Sequence, residues 1–147
     1  MALTFQFEKS LSPIFGEIYR PIAQVFLSTL NNRWYETWMV VDTGADYTLL
    51  PKYFSKRLGV NLERDCKIFK TAGIGGAEKV YLLPKIKVRL GKWERYIPVG
   101  FLNRDNIPPL LGRHLFFESF NVVFSFNHQV AFSSHLFRLF SKIYLFW

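Results

Sequence analysis

Short runs in which apolar and polar residues alternate, interrupted by Pro and Gly, fill most of the first half of the chain. In residues 3–8 the alternation has a period of two, which predicts a β-strand. Residues 17–30 predict one or two strands, with an edge position or a bend at Pro21. Residues 33–41 then predict the partner strand of a hairpin that turns at residues 31–32, where two Asn residues favour a turn.

The middle of the chain predicts one helix and one glycine-rich hairpin. Residues 52–58 resemble a short helix that stops at Gly59. Residues 67–71 and 79–83 are candidate strands on either side of the segment 72–76, Ala-Gly-Ile-Gly-Gly. This arrangement predicts a hairpin with a flexible tip.

The remaining pattern predicts further short strands and leaves room for a second small helix. Residues 112–120 are the helix candidate, and the strand candidates are residues 85–90, 93–101, 121–126 and 129–132. Many short strands with one or two small helices are typical of an all-β protein whose sheet closes or folds over on itself.

Domain organisation follows from a change of pattern near the C-terminus. Residues 1–134 predict one domain, whereas residues 135–147 are mostly apolar with polar residues at roughly helical spacing. This tail is too short to span a bilayer. It predicts a helix packed on the domain or on a partner subunit, and the alternatives are an anchor at a membrane surface or a disordered tail.

Composition and charge narrow the class of protein. Half of the residues are hydrophobic and 18% are aromatic, which excludes a disordered chain. The net charge of +8 is scattered along the sequence, so we expect a solvated basic surface rather than a nucleic-acid partner. The single cysteine, Cys66, rules out an intramolecular disulfide, and we expect neither a metal nor a cofactor. The N-terminus lacks the basic residues and apolar run of a signal peptide, so we expect a cytoplasmic protein.

The segment with the clearest chemistry is Asp42-Thr43-Gly44, which follows four apolar residues. A carboxylate at the end of a buried strand loses hydration and needs hydrogen-bond donors or a partner group. Thr43 offers a hydroxyl, and Gly44 lets the backbone turn back tightly with its N–H facing inward. An ordinary Asx-turn is the alternative interpretation, but the apolar residues on both sides favour a functional site.

Three motifs together resemble those of the retropepsin-like aspartic proteases, which include the retroviral proteases and their cellular and prokaryotic relatives. Residues 40–46 resemble the active-site signature of two apolar residues, Asp-Thr-Gly, and Ala or Ser. The segment 72–76 lies where the family has its flap, and residues 109–113 resemble the later apolar-apolar-Gly-Arg element. The resemblance implies a retropepsin-like closed β domain that acts as a homodimer.

The resemblance also implies a role for individual residues. Asp42 matches the catalytic aspartate, Thr43 the threonine whose hydroxyl reaches across the dimer, and Gly44 a glycine whose backbone contacts the substrate. Asp46 matches an acid that binds substrate main chain and pairs with the arginine matched by Arg113. The substrate-binding positions implied in this way are Ala45, Asp46, Gly73, Ile74, Gly75 and Gly76.

Aspartic-protease chemistry requires two carboxylates around one water, and in these enzymes the two carboxylates share a single proton. The chain has one Asp-Thr-Gly and is too short for a second lobe of similar size. Asp42 is therefore expected to meet Asp42 of a second copy across a two-fold axis. The sequence predicts a homodimeric aspartic endopeptidase, a hydrolase that acts on a peptide or protein substrate. The alternative is a non-catalytic dimerisation or peptide-binding module with the same fold.

Overall fold

Strands dominate the computed structural model, which describes residues 2–73 and 76–134. The strands are β1 (Leu3–Gln6), β2 (Glu8–Ser12), β3 (Gly16–Arg20), β4 (Ile22–Ser28), β5 (Trp34–Val41), β6 (Thr48–Leu50), β7 (Lys67–Gly73), β8 (Gly76–Leu90), β9 (Trp93–Leu102), β10 (Leu110–Leu111), β11 (Phe120–Ser125) and β12 (Gln129–Ser134). Two short helices, α1 (Phe54–Leu58) and α2 (Leu62–Asp65), complete these regions together with a 3-10 turn at Phe117–Ser119. The predicted all-β class is confirmed.

The core lies inside a seven-stranded sheet in the order β4-β5-β10-β6-β9-β8-β7. Strand β4 also pairs with β8, with Leu27 opposite Val88, and this pairing closes the sheet. Alternate residues of β4, namely Ala23, Val25 and Leu27, are fully buried. The period-two pattern of the sequence therefore supplies the apolar wall of the barrel, and closure leaves fewer strand edges open to water.

One long strand replaces the two strands predicted around Pro84. Strand β8 runs without a break from Gly76 to Leu90, and its register against β9 shifts between Leu83 and Ile86. Proline has no N–H to donate to the ladder, so the chain passes Pro84 with a local bulge instead of ending the strand. The first half of β8 pairs with β7, and its second half pairs with β4.

Two smaller sheets stand beside the barrel. Strands β1, β12 and β11 form one of them, and the predicted hairpin near the C-terminus is confirmed by the pairing of β11 with β12. Strands β2 and β3 form the other as an isolated hairpin, which the sequence pattern did not predict. Pro21 separates β3 from β4, so residues 17–30 form two strands with a break at the proline.

The two predicted helices have different outcomes. Helix α1 ends at Gly59, whose φ of 71° is the left-handed conformation expected of a helix stop, so this prediction is confirmed. The helix predicted over residues 112–120 is wrong, since only the 3-10 turn forms there. Leu115 adopts a φ of 59°, and a right-handed helix cannot pass through a residue in that conformation. Helix α2, capped by the Asn61 side chain, was not predicted.

Two sequence predictions fall outside the described residues. The apolar tail at residues 135–147 is one, and the flap tip at Ile74 and Gly75 is the other. Within residues 2–73 and 76–134, no helix is long and apolar enough to cross a membrane.

Candidate active site

Asp42 lies directly after β5, where a segment distant in sequence holds the end of the strand. Strand β10 runs parallel to the end of β5, with Leu111 opposite Val41. The Asp42 N–H donates to the Leu111 carbonyl at 3.0 Å, and the Val40 N–H donates to the Pro109 carbonyl at 2.9 Å. The place where the strand ends and the acid begins is therefore fixed by residues nearly seventy positions later in the chain.

The Asp-Thr-Gly segment forms a tight turn around its own carboxylate. The Gly44 N–H donates to Asp42 Oδ1 at 2.9 Å, and the Ala45 N–H donates to the Asp42 carbonyl at 3.2 Å. A Cβ at Gly44 would lie 3.2 Å from Asp42 Oδ1, closer than nearly all such contacts. In the single chain, Asp42 is half-buried and Thr43 and Gly44 are exposed. The carboxylate is thus oriented by the backbone while its surroundings stay open.

Arg113 stabilises the turn through contacts with Thr43, Ala45 and Asp46. Its guanidinium donates to the Thr43 carbonyl and forms an ion pair with the Asp46 carboxylate. Its backbone N–H also donates to the Ala45 carbonyl at 3.0 Å. The Asp46 side chain remains 81% exposed in spite of this ion pair, so it stays accessible to a ligand.

Thr48 and Gly112 are linked by a buried hydrogen bond next to the turn. Thr48 is fully buried, and its hydroxyl oxygen accepts a hydrogen bond from the Gly112 N–H at 3.2 Å. A Cβ at Gly112 would come within 2.2 Å of the Tyr47 backbone, so only glycine fits there. Sequence reasoning placed Gly112 in a motif but missed Thr48. The signal was present, since a Thr among apolar residues of a short strand needs a buried hydrogen-bond partner.

A cavity of about 590 Å³ opens next to this turn. Its walls include Tyr47, Phe69 on β7, and Leu82 on β8, and its rim carries Asp46 and Glu118. Burial, and then the negative charge of Asp46, raises the pKa of Tyr47. A mostly apolar cavity with a few polar groups at its rim is suited to a side chain of a bound peptide. Sequence reasoning did not anticipate it, because its walls come from separate strands.

The glycine-rich hairpin is present in the region expected for a flap. Strands β7 and β8 pair up to Gly73 opposite Gly76, and Gly76 has a φ of 107°. The base of this hairpin reaches the site, since the rings of Phe69 and Tyr47 lie 6.3 Å apart. The structure therefore connects the hairpin base to the Asp42 turn, while Ile74 and Gly75 at the tip are outside the described residues.

Other candidate groups contribute little to the site. Burial raises the pKa of the Cys66 thiol to about 11, so the thiol is protonated and weakly nucleophilic at neutral pH. In the part of the chain that the structure describes, no three His, Cys, Asp or Glu side chains are grouped as metal ligands.

Comparison with known proteins agrees with this geometry. The profile of the family described as aspartyl protease matches residues 28–115, more than half of the chain, and this range includes Asp42 and Arg113. Comparison with curated protein sequences finds no match.

Among solved structures, the fold is similar to the crystal structure of a retropepsin-like aspartic protease from Rickettsia conorii. The TM-score is 0.62 at 19% sequence identity, over 89% of this chain and 98% of that chain. A likeness at this low identity concerns the fold, and the family profile supplies the membership. The chain belongs to the aspartyl protease family and has the retropepsin-like fold.

Proposed function

We propose that this chain is an aspartic endopeptidase that hydrolyses peptide bonds at a site shared by two copies of itself. The observation that carries the proposal is the Asp42 carboxylate. It stands at the open end of β5, oriented by the Gly44 N–H and anchored through the Leu111 carbonyl. A carboxylate held in place and still accessible is suited to acid–base chemistry on a bound water.

The proposed reaction uses two Asp42 side chains and one water. One carboxylate, ionised, takes a proton from the water as it attacks the peptide carbonyl carbon, while the other, protonated, donates to the carbonyl oxygen. The tetrahedral intermediate then collapses as a proton passes to the leaving amine. Because two adjacent carboxylates titrate as a pair, we expect the dependence of activity on pH to be bell-shaped.

The need for a second copy follows from the contents of one chain. The sequence has a single Asp-Thr-Gly. Asp46, the acidic residue that follows most closely along the chain, is engaged by Arg113. Asp42, Thr43 and Gly44 all reach the surface of the single chain. A second copy related by two-fold symmetry would supply the missing carboxylate and cover this surface.

The substrate would lie extended along the site and pair with it through main-chain hydrogen bonds. The exposed Asp46 carboxylate is available to a peptide N–H, and the cavity beside Tyr47 has room for a substrate side chain. Ile74 at the flap tip is proposed to exclude water when the flap closes.

The Asp42→Asn variant tests the catalytic role. We expect cleavage of an unfolded protein or a peptide library to fall by about 10²–10⁴-fold, the range typical of the loss of an acid–base group. The matched control is Asp105→Asn, which changes a carboxylate that accepts from the Tyr53 N–H outside the site. Equal activity of Asp42→Asn and wild type would instead favour a non-catalytic dimerisation or peptide-binding module.

Subunit mixing tests whether the site is shared. If wild type and Asp42→Asn exchange freely at equal amounts, about one quarter of the dimers carry two intact carboxylates. Because mixing doubles the number of dimers, we therefore expect the wild-type activity to fall to about one half of its starting value after exchange. Activity that stays at its starting value after demonstrated exchange would contradict a shared site.

A further inference from the structure

Four large apolar side chains are more exposed than any others in the described part of the chain. Leu11 is 80% exposed, Ile14 80%, Phe15 78% and Phe126 99%, whereas the next most exposed large apolar side chain is 52% exposed. We refer to these four residues as the tip cluster. Large apolar side chains that a fold leaves this exposed are candidates for a site of interaction.

Three of the four lie on the β2–β3 hairpin, which stands at the edge of the barrel that carries Asp42. Ile22 pairs with Val40, and the Val41 N–H donates to the Pro21 carbonyl at 2.9 Å, so the β4–β5 ladder continues to the end of β5. Strand β3 ends at Arg20, immediately before Pro21 in the chain. The hairpin therefore ends beside the residue that precedes Asp42.

The fourth residue lies on a turn that contacts the same hairpin. Phe126 belongs to the turn between β11 and β12, which also contains His128. The Tyr19 ring of β3 stacks on His128 with centroids 3.8 Å apart, and the Phe7 N–H donates to the His128 carbonyl at 2.8 Å. The hairpin and this turn are therefore neighbours at one edge of the molecule.

Within residues 2–73 and 76–134, no packing of the single chain accounts for the apolar character of the tips. Among the described strands, β2 and β3 pair only with each other, and the tip cluster projects into solvent. The turn is nevertheless ordered, because the Ser12 hydroxyl accepts hydrogen bonds from the N–H groups of Ile14 and Phe15, each at 3.2 Å. A preorganised apolar turn loses little entropy when a partner covers it.

We propose that the tip cluster docks on a second copy of this chain, the copy that completes the active site. The inference rests on the proposed function, which requires a partner across Asp42. The hairpin that carries three of the four residues ends beside Val41, which precedes Asp42, and residues 11–16 carry no charge that would have to be desolvated. An interface through the hairpin would link dimerisation directly to β5 and hence to the position of Asp42.

Charge favours a protein partner over a lipid surface. A hairpin that enters a membrane interface is normally flanked by cations that contact anionic headgroups. The cation on β2, Lys9, is paired with Glu17 at 2.7 Å. The second cation of the hairpin, Arg20 on β3, lies opposite Glu8 in the ladder. Because the charges of the hairpin balance in this way, it is better suited to an apolar protein surface.

The experiment compares two matched double variants of the full chain by sedimentation velocity over a range of concentrations. Ile14→Ser/Phe15→Ser removes half of the tip cluster. The control Leu30→Ser/Tyr96→Ser removes two side chains that are 48% and 50% exposed on other elements. We expect the dimer dissociation constant to rise by at least about tenfold in the tip variant and by less than about twofold in the control. Above its dissociation constant, the tip variant should recover the wild-type activity per site.

Several outcomes would overturn the inference. One is a wild type that stays monomeric, and another is a tip variant that dimerises as well as the control. A third is an unchanged dimer with a raised KM, which would assign the tips to substrate. A fourth is an unchanged dimer that no longer binds phosphatidylserine vesicles as the wild type does, which would assign the tips to a membrane. If instead the tip variant loses the dimer while the wild-type dimer cleaves no peptide, docking of the tips on a second copy stands and the proposed function fails.

Discussion

The Asp42 turn and the β2–β3 hairpin lie at the same edge of the barrel but are held in opposite ways. The turn is fastened by residues far away in sequence, through the Leu111 carbonyl and the backbone and side chain of Arg113. The hairpin has a local ladder of its own, with Ser12 closing its tip. The difference indicates that the carboxylate is positioned by the whole fold, whereas the hairpin is an appendage whose tip can be altered without cost to the core.

This contrast matches the demands of the proposed chemistry. A catalytic group must keep its geometry to within a fraction of an ångström, which requires support from several rigid elements. A surface that recognises a partner needs mainly exposed apolar area and an ordered backbone. Substitutions in the Asp42 turn and its supports should therefore cost more stability or activity than matched substitutions in the hairpin or elsewhere on the surface.

The largest effect is expected for Gly112→Ala, compared with Gly16→Ala in the hairpin. The new Cβ at residue 112 would lie 2.2 Å from the Tyr47 backbone, whereas a Cβ at residue 16 meets nothing within 4 Å. We expect the free energy of unfolding to fall by about 3–5 kcal/mol for Gly112→Ala. For Gly16→Ala, whose cost comes from a φ of +73°, we expect about 1 kcal/mol. Urea unfolding measures both, and equal losses would remove the contrast.

A large effect on activity with little effect on stability is expected for Arg113→Lys. A single ammonium cannot reproduce the planar fork that reaches both the Thr43 carbonyl and Asp46. We expect kcat/KM to fall about 10–100-fold while the free energy of unfolding changes by less than about 1 kcal/mol. The control Arg104→Lys alters a surface ion pair with Glu78 and should leave kcat/KM within about twofold. Equal kcat/KM values for the two variants would show that Arg113 does not position the turn.

An intermediate effect on stability is expected for Thr48→Val. The change keeps the shape of the side chain but removes the oxygen that accepts from the Gly112 N–H, which is then buried without a partner. We expect a loss of about 1–3 kcal/mol in the free energy of unfolding. Thr4→Val, on the exposed β1, is the control and should change it by less than about 0.5 kcal/mol. If Thr48→Val left the free energy of unfolding unchanged, Thr48 would not support the turn.

The smallest effect is expected for the hairpin tip in the isolated chain. At concentrations where the protein is monomeric, Ile14→Ser/Phe15→Ser should change the free energy of unfolding by less than about 0.5 kcal/mol, because both side chains already face solvent. Thermal or urea unfolding at low concentration checks this. A loss above about 2 kcal/mol would mean that the tip supports the fold of its own chain.

Part of this molecule could be predicted from its sequence because the relevant signals are local. The turn signal at residues 31–32 predicted the hairpin partner strand β5, and Gly59 predicted the end of α1. Strands β6 and β10 were missed, since two or three residues are too few for a period to be recognised. The helix over residues 112–120 was predicted from composition, but Leu115 takes a left-handed conformation that composition does not reveal.

The sequence alone determined the chemical groups of the site and their order along the chain: Asp-Thr-Gly, the glycine-rich hairpin, and Leu-Leu-Gly-Arg. The three-dimensional fold was needed to establish that the Leu111 carbonyl accepts from the Asp42 N–H, that the Thr48 hydroxyl accepts from the Gly112 N–H, and that β4 closes the barrel on β8. It also decided that the hairpin with three of the most exposed apolar side chains ends beside Val41, the residue before the acid. The physical reason is that hydrogen bonds and packing between distant segments depend on three-dimensional register, which periodicity along one chain does not encode.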